Sequence, residues 1–297
     1  MVANTRRAVK FCSLKSAGGS ANAQRAFSTF HGKYRQRSLY VEHIKGDSEN
    51  MKHSLLKRQV IAHRGLNRLA PENTLAAFRL AAEHGCQWIE TDVDILKDGT
   101  PIIMHDTLLD RTTNATGYFY DLDSTDVANI DAGSWFSSQY AGEPIPTLRQ
   151  LVDLMNETGL NANIELKSNE RGKATSMQLI DNTLAELDRL DPEREIIISS
   201  FNHLLLHHVH EARPDIPIGA LFVVDNLWED WKSILELVGA TYIHPEDAGL
   251  TPHKVAAFRE AGYGVNVWTV NGKDRANELF NWGVTGVFTD IANEFRQ

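Results

Sequence analysis

Cysteine is nearly absent: Cys12 and Cys86 are the two thiols in 297 residues. So few exclude a disulfide framework and make a reducing compartment, the cytoplasm, the default location. No apolar run approaches the roughly 18 residues of a membrane-spanning helix, so no integral membrane segment is expected. Positive charge is also in short supply. The formal net charge of −9 argues against a nucleic-acid partner, and any anionic ligand would have to be held by local cations instead of a global field. Residues 1–41 reverse that balance, with eight Lys or Arg and no Asp or Glu. This composition is that of an organellar transit peptide, but without the apolar core of a secretory signal. A second reading starts translation at Met51, with MKHSLLKRQVIAHRG as its opening, and makes residues 1–50 an unstructured or dispensable extension. A third gives them a folded accessory role. The extension is set aside from the fold on any of the three, and organellar targeting stays open.

What is present from residue 58 onward is a regular alternation, with no internal repeat or low-complexity tract. Hydrophobic residues make up 42% of the chain, ample for a large core. Short β-branched runs occur at 60–63, 88–96, 101–105, 162–167, 196–201, 218–223, 241–244, 264–270 and 286–289. Amphipathic helical stretches lie between most of them: one after Asn73 as N-cap and ending at Gly85, then 148–158, 176–190, 203–212, 229–238, 252–261 and 275–282. Strand–helix alternation implies a parallel sheet, and eight units imply closure into a TIM-type (β/α)8 barrel.

The ninth run is explained by a hairpin. Asp98-Gly99 reads as a two-residue turn, which sets Asp92 opposite His105. The segment 107–146, rich in Asp, Gly, Ser and aromatics, is too long for a barrel loop and reads as an inserted subdomain over the active face.

Three carboxylates decide the reaction class. Glu90 and Asp92 are two apart on one strand and share a face, and Glu165 repeats the situation in ANIELK. Buried and unpaired they would be very costly, but together they can share a hard divalent cation. The competing reading is ion pairing with Arg64 and Lys167 at neighbouring strand ends. His63 and His105 flank the cluster, and imidazole can give or take a proton at neutral pH. Arg64 and Lys167 supply charge suited to a phosphate, unless Glu72 and Glu165 occupy them. Glu72 is expected to support the site residues from behind, and Gly65 and Asn73 to be architectural. Trp268 could stack on a carbon skeleton, with Phe201 a weaker candidate and His244 possible at the same pocket; each is equally at home in a core.

In this order, His63-Arg64-Gly65, Pro71-Glu72-Asn73-Thr74, Glu90-x-Asp92, His105-Asp106, Asn163-Ile164-Glu165-Leu166-Lys167, Ser199-Ser200-Phe201, Trp268-Thr269-Val270-Asn271 and Thr289-Asp290 resemble the glycerophosphodiester phosphodiesterase family, in its short soluble bacterial form. The resemblance spans residues 58 to 292. It implies a barrel over 58–297, an insertion at 107–146, and hydrolysis of glycerophosphodiesters such as glycerophosphocholine and glycerophosphoethanolamine to sn-glycerol 3-phosphate and an alcohol. It assigns Glu90, Asp92 and Glu165 to one Mg²⁺ or Ca²⁺, His63 and His105 to proton transfer, and Arg64, Lys167 and Trp268 to phosphate and substrate. Two rivals are a lysophospholipase D-like enzyme on the same barrel and a catalytically silent barrel that binds phosphate esters. The leaving alcohol, the ion, the division of labour between the histidines, and the oligomeric state are left open at this point.

Overall fold

The computed structural model describes residues 58–295. The expectations for residues 1–50 and for a start at Met51 lie outside the described residues. Among the described residues nine strands occur: β1 (Gln59–Ala62), β2 (Trp88–Ile95), β3 (Pro101–Ile103), β4 (Asn161–Leu166), β5 (Ile196–Ser200), β6 (Ile218–Phe222), β7 (Tyr242–Pro245), β8 (Gly264–Val267) and β9 (Gly286–Thr289). Eight of them run parallel in the order β1-β9-β8-β7-β6-β5-β4-β2, and β1 pairs with β2 to close the ring. This is the TIM-type barrel expected from the alternation.

The helices are α1 (Leu75–Glu83), α2 (Ser124–Val127), α3 (Leu148–Thr158), α4 (Gly172–Leu187), α5 (His203–Ala212), α6 (Trp231–Leu237), α7 (Pro252–Glu260) and α8 (Lys273–Trp282). α2 lies within the segment after the hairpin and α3 follows that segment; each of the others follows a barrel strand, and all but α2 contribute buried apolar residues to the main core. In α3 these are Leu148, Leu151, Val152, Leu154 and Met155; Thr147 caps its start in a capping box with Gln150, and Gly159 ends it in the left-handed conformation. The strand residues that meet these helices, such as Ile89, Ile164, Ile198, Ile243 and Val265, belong to the main core.

The other parity of each strand faces the barrel interior. Ile61, Trp88, Ile197, Tyr242 and Phe288 form a separate apolar cluster there. Two residues further along the same strands stand Glu90, Ser199 and His244, so the interior changes from apolar to polar toward the carboxyl ends of the strands. Register makes this a site: Asp92 is the partner of Glu165 across β2 and β4, and Glu90 is the partner of Asn163.

The hairpin is one residue out from the expected register. Val93 pairs with Ile103, Asp94 with Ile102 and Ile95 with Pro101. The loop holds three residues, Lys97-Asp98-Gly99, with Leu96 N–H bonded to Thr100 O at 3.0 Å and Gly99 at φ 87°. A type I turn completed by a left-handed glycine accounts for it, and the same Asp-Gly pair suits either loop. Asp92 therefore meets Met104, not His105; Met104 N–H donates to Asp92 O at 3.0 Å. A regular strand would then turn His105 to the opposite face from Asp92. Instead β3 ends at Ile103, and the irregular chain beyond it brings His105 to the barrel mouth.

The segment 107–146 folds over a small core of its own, in which Leu109, Phe119, Tyr120, Val127, Ala132 and Ile145 pack on Leu96, Ile102 and Met104 of the hairpin.

Candidate active site

Six of the eight sequence-predicted residues line one open cavity of about 210 Å³ at the mouth: His63, Arg64, Glu90, His105, Glu165 and Trp268. Asp92 and Lys167 stand behind the lining. Asp92 is 1% exposed, and Lys167 Nζ reaches its Oδ1 at 3.1 Å and Glu165 Oε1 at 2.9 Å. The cavity has two halves. Carboxylates, imidazoles and Asn163 form one; Phe201, Leu221, Trp268 and Phe288 form the other. Phe201 meets Trp268 edge-on at 5.4 Å between ring centres, and Trp268 is pinned by its indole N–H donating to His244 O at 2.9 Å.

Each carboxylate of Glu90, Asp92 and Glu165 offers an oxygen within 4.8 Å of the others. Burial penalises their charge and Asp92 adds repulsion, so Glu90 is pushed up to about 8. Glu165 is also raised, chiefly by burial. Burial works against Asp92 as well, but Lys167 and Arg64 hold it well below the usual carboxylate range. Two cations therefore serve three buried acids, and Glu90 is the one left over. The side-chain oxygen of Asn163, partner of Glu90 in the sheet, is buried without a donor. An all-oxygen donor set with excess negative charge and an orphaned acceptor beside it fits a hard divalent cation. The ion-pair reading holds at the same time, because Lys167 and Arg64 also bind these acids.

The backbone at the end of β1 is shaped around Glu90. Arg64 sits at φ 56°, an uncommon conformation for a side chain with Cβ, and its N–H donates to Glu90 Oε2 at 3.0 Å. Asn73 corrects the expected helix start. It also lies in the left-handed region, at φ 57°, and Thr74 is the N-cap, accepting from Ala77 N–H. Asn73 instead donates to Asp92 Oδ2 at 2.8 Å and accepts from Thr91 Oγ1 at 3.1 Å. Adjacent Asn and Thr are both good caps, which is why sequence alone chose the wrong one.

Each histidine is held through Nδ1 by a carboxylate, which leaves Nε2 for the cavity. His63 Nδ1 lies 2.8 Å from Asp290 Oδ1, and its Nε2 is 3.9 Å from Glu90. Asp290 is fixed in turn by Asn67 and Asn271, each at 2.7 Å. His105 Nδ1 lies 2.6 Å from Asp106 Oδ1. Burial pulls the His63 pKa down, but the Asp290 bond and the Glu90 charge outweigh it and the net shift is upward. For His105 burial wins and the shift is downward. Asp290 and Asp106 stand in quoted motifs, yet no spacing rule pairs residues 63 and 290, so their roles were not visible in the sequence.

Glu72 supports the site as expected, accepting from Arg64 Nη1 at 2.8 Å. His244 does not face the cavity. It is fully buried between Asn266 and the Phe288 ring, and it fills the space that a Cβ on Gly219 would need.

Comparison with known proteins gives consistent matches. The model of the Glycerophosphoryl diester phosphodiesterase family matches residues 63–294. A glycerophosphodiester phosphodiesterase of Caldanaerobacter subterraneus subsp. tengcongensis is 36% identical over 235 residues, covering 79% of this chain and 95% of that one. Another, from Bacillus subtilis, is 32% identical over 249 residues, covering 80% and 85%. Among solved structures, an Oleispira antarctica phosphodiesterase in complex with the product sn-glycerol-3-phosphate superposes with a TM-score of 0.76 at 33% identity, covering 80% of this chain and 94% of that one.

Proposed function

The chain belongs to the glycerophosphoryl diester phosphodiesterase family, and on that premise we propose how its barrel mouth cleaves glycerophosphodiesters. The substrates are small diesters such as glycerophosphocholine and glycerophosphoethanolamine, and the products are sn-glycerol 3-phosphate and the free alcohol. The observation that carries this reading is the two-sided cavity, in which two carboxylate-anchored imidazoles border a buried carboxylate triad opposite an apolar wall.

Glu90, Asp92 and Glu165 hold one Mg²⁺ or Ca²⁺, which when bound supplies positive charge to the phosphate and makes the attacking hydroxyl more acidic. Arg64 presents its guanidinium edge to the phosphate oxygens, a contact made in the bound diester and kept as phosphorus is attacked. Lys167 contributes mainly from behind, by keeping Asp92 and Glu165 ionised and in place. Of the two imidazoles, one accepts the proton of the attacking hydroxyl and the other protonates the departing alkoxide. That inventory is the same whether the attacking oxygen is the glycerol 2-hydroxyl, through a cyclic phosphate, or water. Trp268, with Phe201 against it, lies along the carbon skeleton and excludes solvent from one side of the phosphate.

A product assay tests this. Glycerophosphocholine with enzyme and Mg²⁺ or Ca²⁺ should yield sn-glycerol 3-phosphate and choline. Phosphocholine as product would overturn the bond assignment, and full turnover after exhaustive chelation would overturn the metal role. The apolar wall supports one second reading, a single-chain lipid substrate, since Phe201 is 42% exposed at the cavity edge. Lysophosphatidylcholine, assayed above and below its micelle-forming concentration, is the arm that reads it.

A further inference from the structure

The inserted subdomain does more than cover the mouth. Arg111 lies within it, on a turn anchored by Leu109 in the small apolar core and by the Thr113 hydroxyl donating to Leu109 O at 2.7 Å. Its guanidinium makes three charge-assisted bonds. Nε donates to Asp106 Oδ2 at 2.5 Å, while Nη1 and Nη2 donate to the two oxygens of Glu72, each at 2.8 Å. Each of those carboxylates holds a residue of the cavity. The other oxygen of Asp106 faces His105 Nδ1 at 2.6 Å, and Glu72 Oε1 also accepts from Arg64 Nη1 at 2.8 Å. One guanidinium from the insertion thus fixes, through two carboxylates, a proton-transfer imidazole and a phosphate-facing cation.

We propose that Arg111 is a positioning residue that sets the geometry of His105 and Arg64 together, and that the insertion exists in part to deliver it. The proposal rests on the roles given above to those two residues. The planar fork is what the arrangement uses. Bidentate contact fixes the plane of Glu72, so that Oε1 keeps a lone pair aimed at Arg64, and the third N–H stops Asp106 from turning toward solvent. A lysine could meet one of these carboxylates but not all three acceptor atoms. Loss of Arg111 would leave Asp106, itself 28% exposed at the side chain, to share its time between His105 and water.

The two arms predict different kinetic effects. Loosening His105 lowers kcat; loosening Arg64 raises KM for the diester. Arg111→Ala should therefore lower kcat by about 10- to 100-fold, less than the roughly 10²–10⁴-fold for removing a general acid or base outright, and raise KM several-fold. Arg111→Lys should recover little of either, and added guanidinium should partly restore Arg111→Ala. In a His105→Ala background, assayed with a diester carrying a good leaving group, Arg111→Ala should lower kcat by less than about threefold and still raise KM. In a Glu72→Gln background the KM effect should shrink instead. A residue that only props the fold would lower the active fraction, reducing kcat by one factor in every background with KM unmoved. That outcome, or a wild-type kcat and KM in Arg111→Ala, overturns the proposal. Failure of the underlying reading looks different: His105→Ala and an Arg64 variant would themselves turn over normally.

Discussion

Replacing either His63 or His105 by alanine removes one end of the proposed proton relay while leaving its anchor carboxylate in place. Each change should cost on the order of 10²–10⁴-fold in kcat on glycerophosphocholine. The losses should not multiply in the double variant, because either change breaks the relay. A nitrophenol leaving group needs little protonation, so it should rescue the variant that lost the acid and leave the other slow. If neither variant loses more than a few-fold, the histidines are structural. His244 carries a different expectation. Burial pulls its pKa from 6.5 down to about 3. The unfolded chain takes up that proton first as pH falls, so the contribution of neutral His244 is intact above about 6.5 and lost progressively toward about 3, at about 1.4 kcal/mol per pH unit. In His244→Gln, melting temperature should fall less steeply across that window than in the wild type; parallel slopes would show that His244 titrates as an ordinary histidine. At this scale the carboxylates, imidazoles and cations were legible as a group, because they recur at strand ends in short motifs, and the fold brings them together at one barrel mouth. It could not show Arg111 against Glu72 or Asp290 against His63, since those pairs depend on which loops the barrel brings together.

Strands and helices were legible wherever hydrophobic period decided them. The spans 148–158, 203–212 and 286–289 agree with α3, α5 and β9, while β8 ends at Val267, three residues before its apolar run suggests. There Trp268 still looks like strand by composition but belongs to the mouth. The hairpin failed for a physical reason: Asp-Gly closes a two-residue loop and a three-residue loop equally well, and one residue of slip turns every later side chain over. Gly99 enforces the longer loop. A Cβ there would be strained at φ 87° and would come within 2.5 Å of the Gln178 amide, the mobile end of a side chain. Gly99→Ala should therefore cost about 1–2 kcal/mol. That lowers the melting temperature by roughly 2–4 °C per kcal/mol in a domain of this size. Because the ladder from Val93 to Ile95 still holds the register, kcat should stay within twofold of wild type. A larger loss of kcat would mean that the loop, and not the ladder, positions His105.

The barrel is complete within the described residues, since β1 is paired on both sides, with β9 and with β2. A chain beginning at Met51 should therefore melt and turn over like the full chain. Insolubility or loss of activity would show that the first 50 residues belong to the domain. The whole ring turns on β2, which among the described residues is the strand bonded to three others: β1 along its first residues, β4 along most of its length and β3 at its far end. Local opening frees a segment only when few neighbours hold it. An excursion that detaches β3 and the insertion leaves β2 bound to β4, and one that frees β1 leaves it bound to both others. The amides around Glu90 and Asp92 would then trade hydrogen for deuterium only through global unfolding. The carboxylate triad should thus sit in the slowest-exchanging part of the described structure.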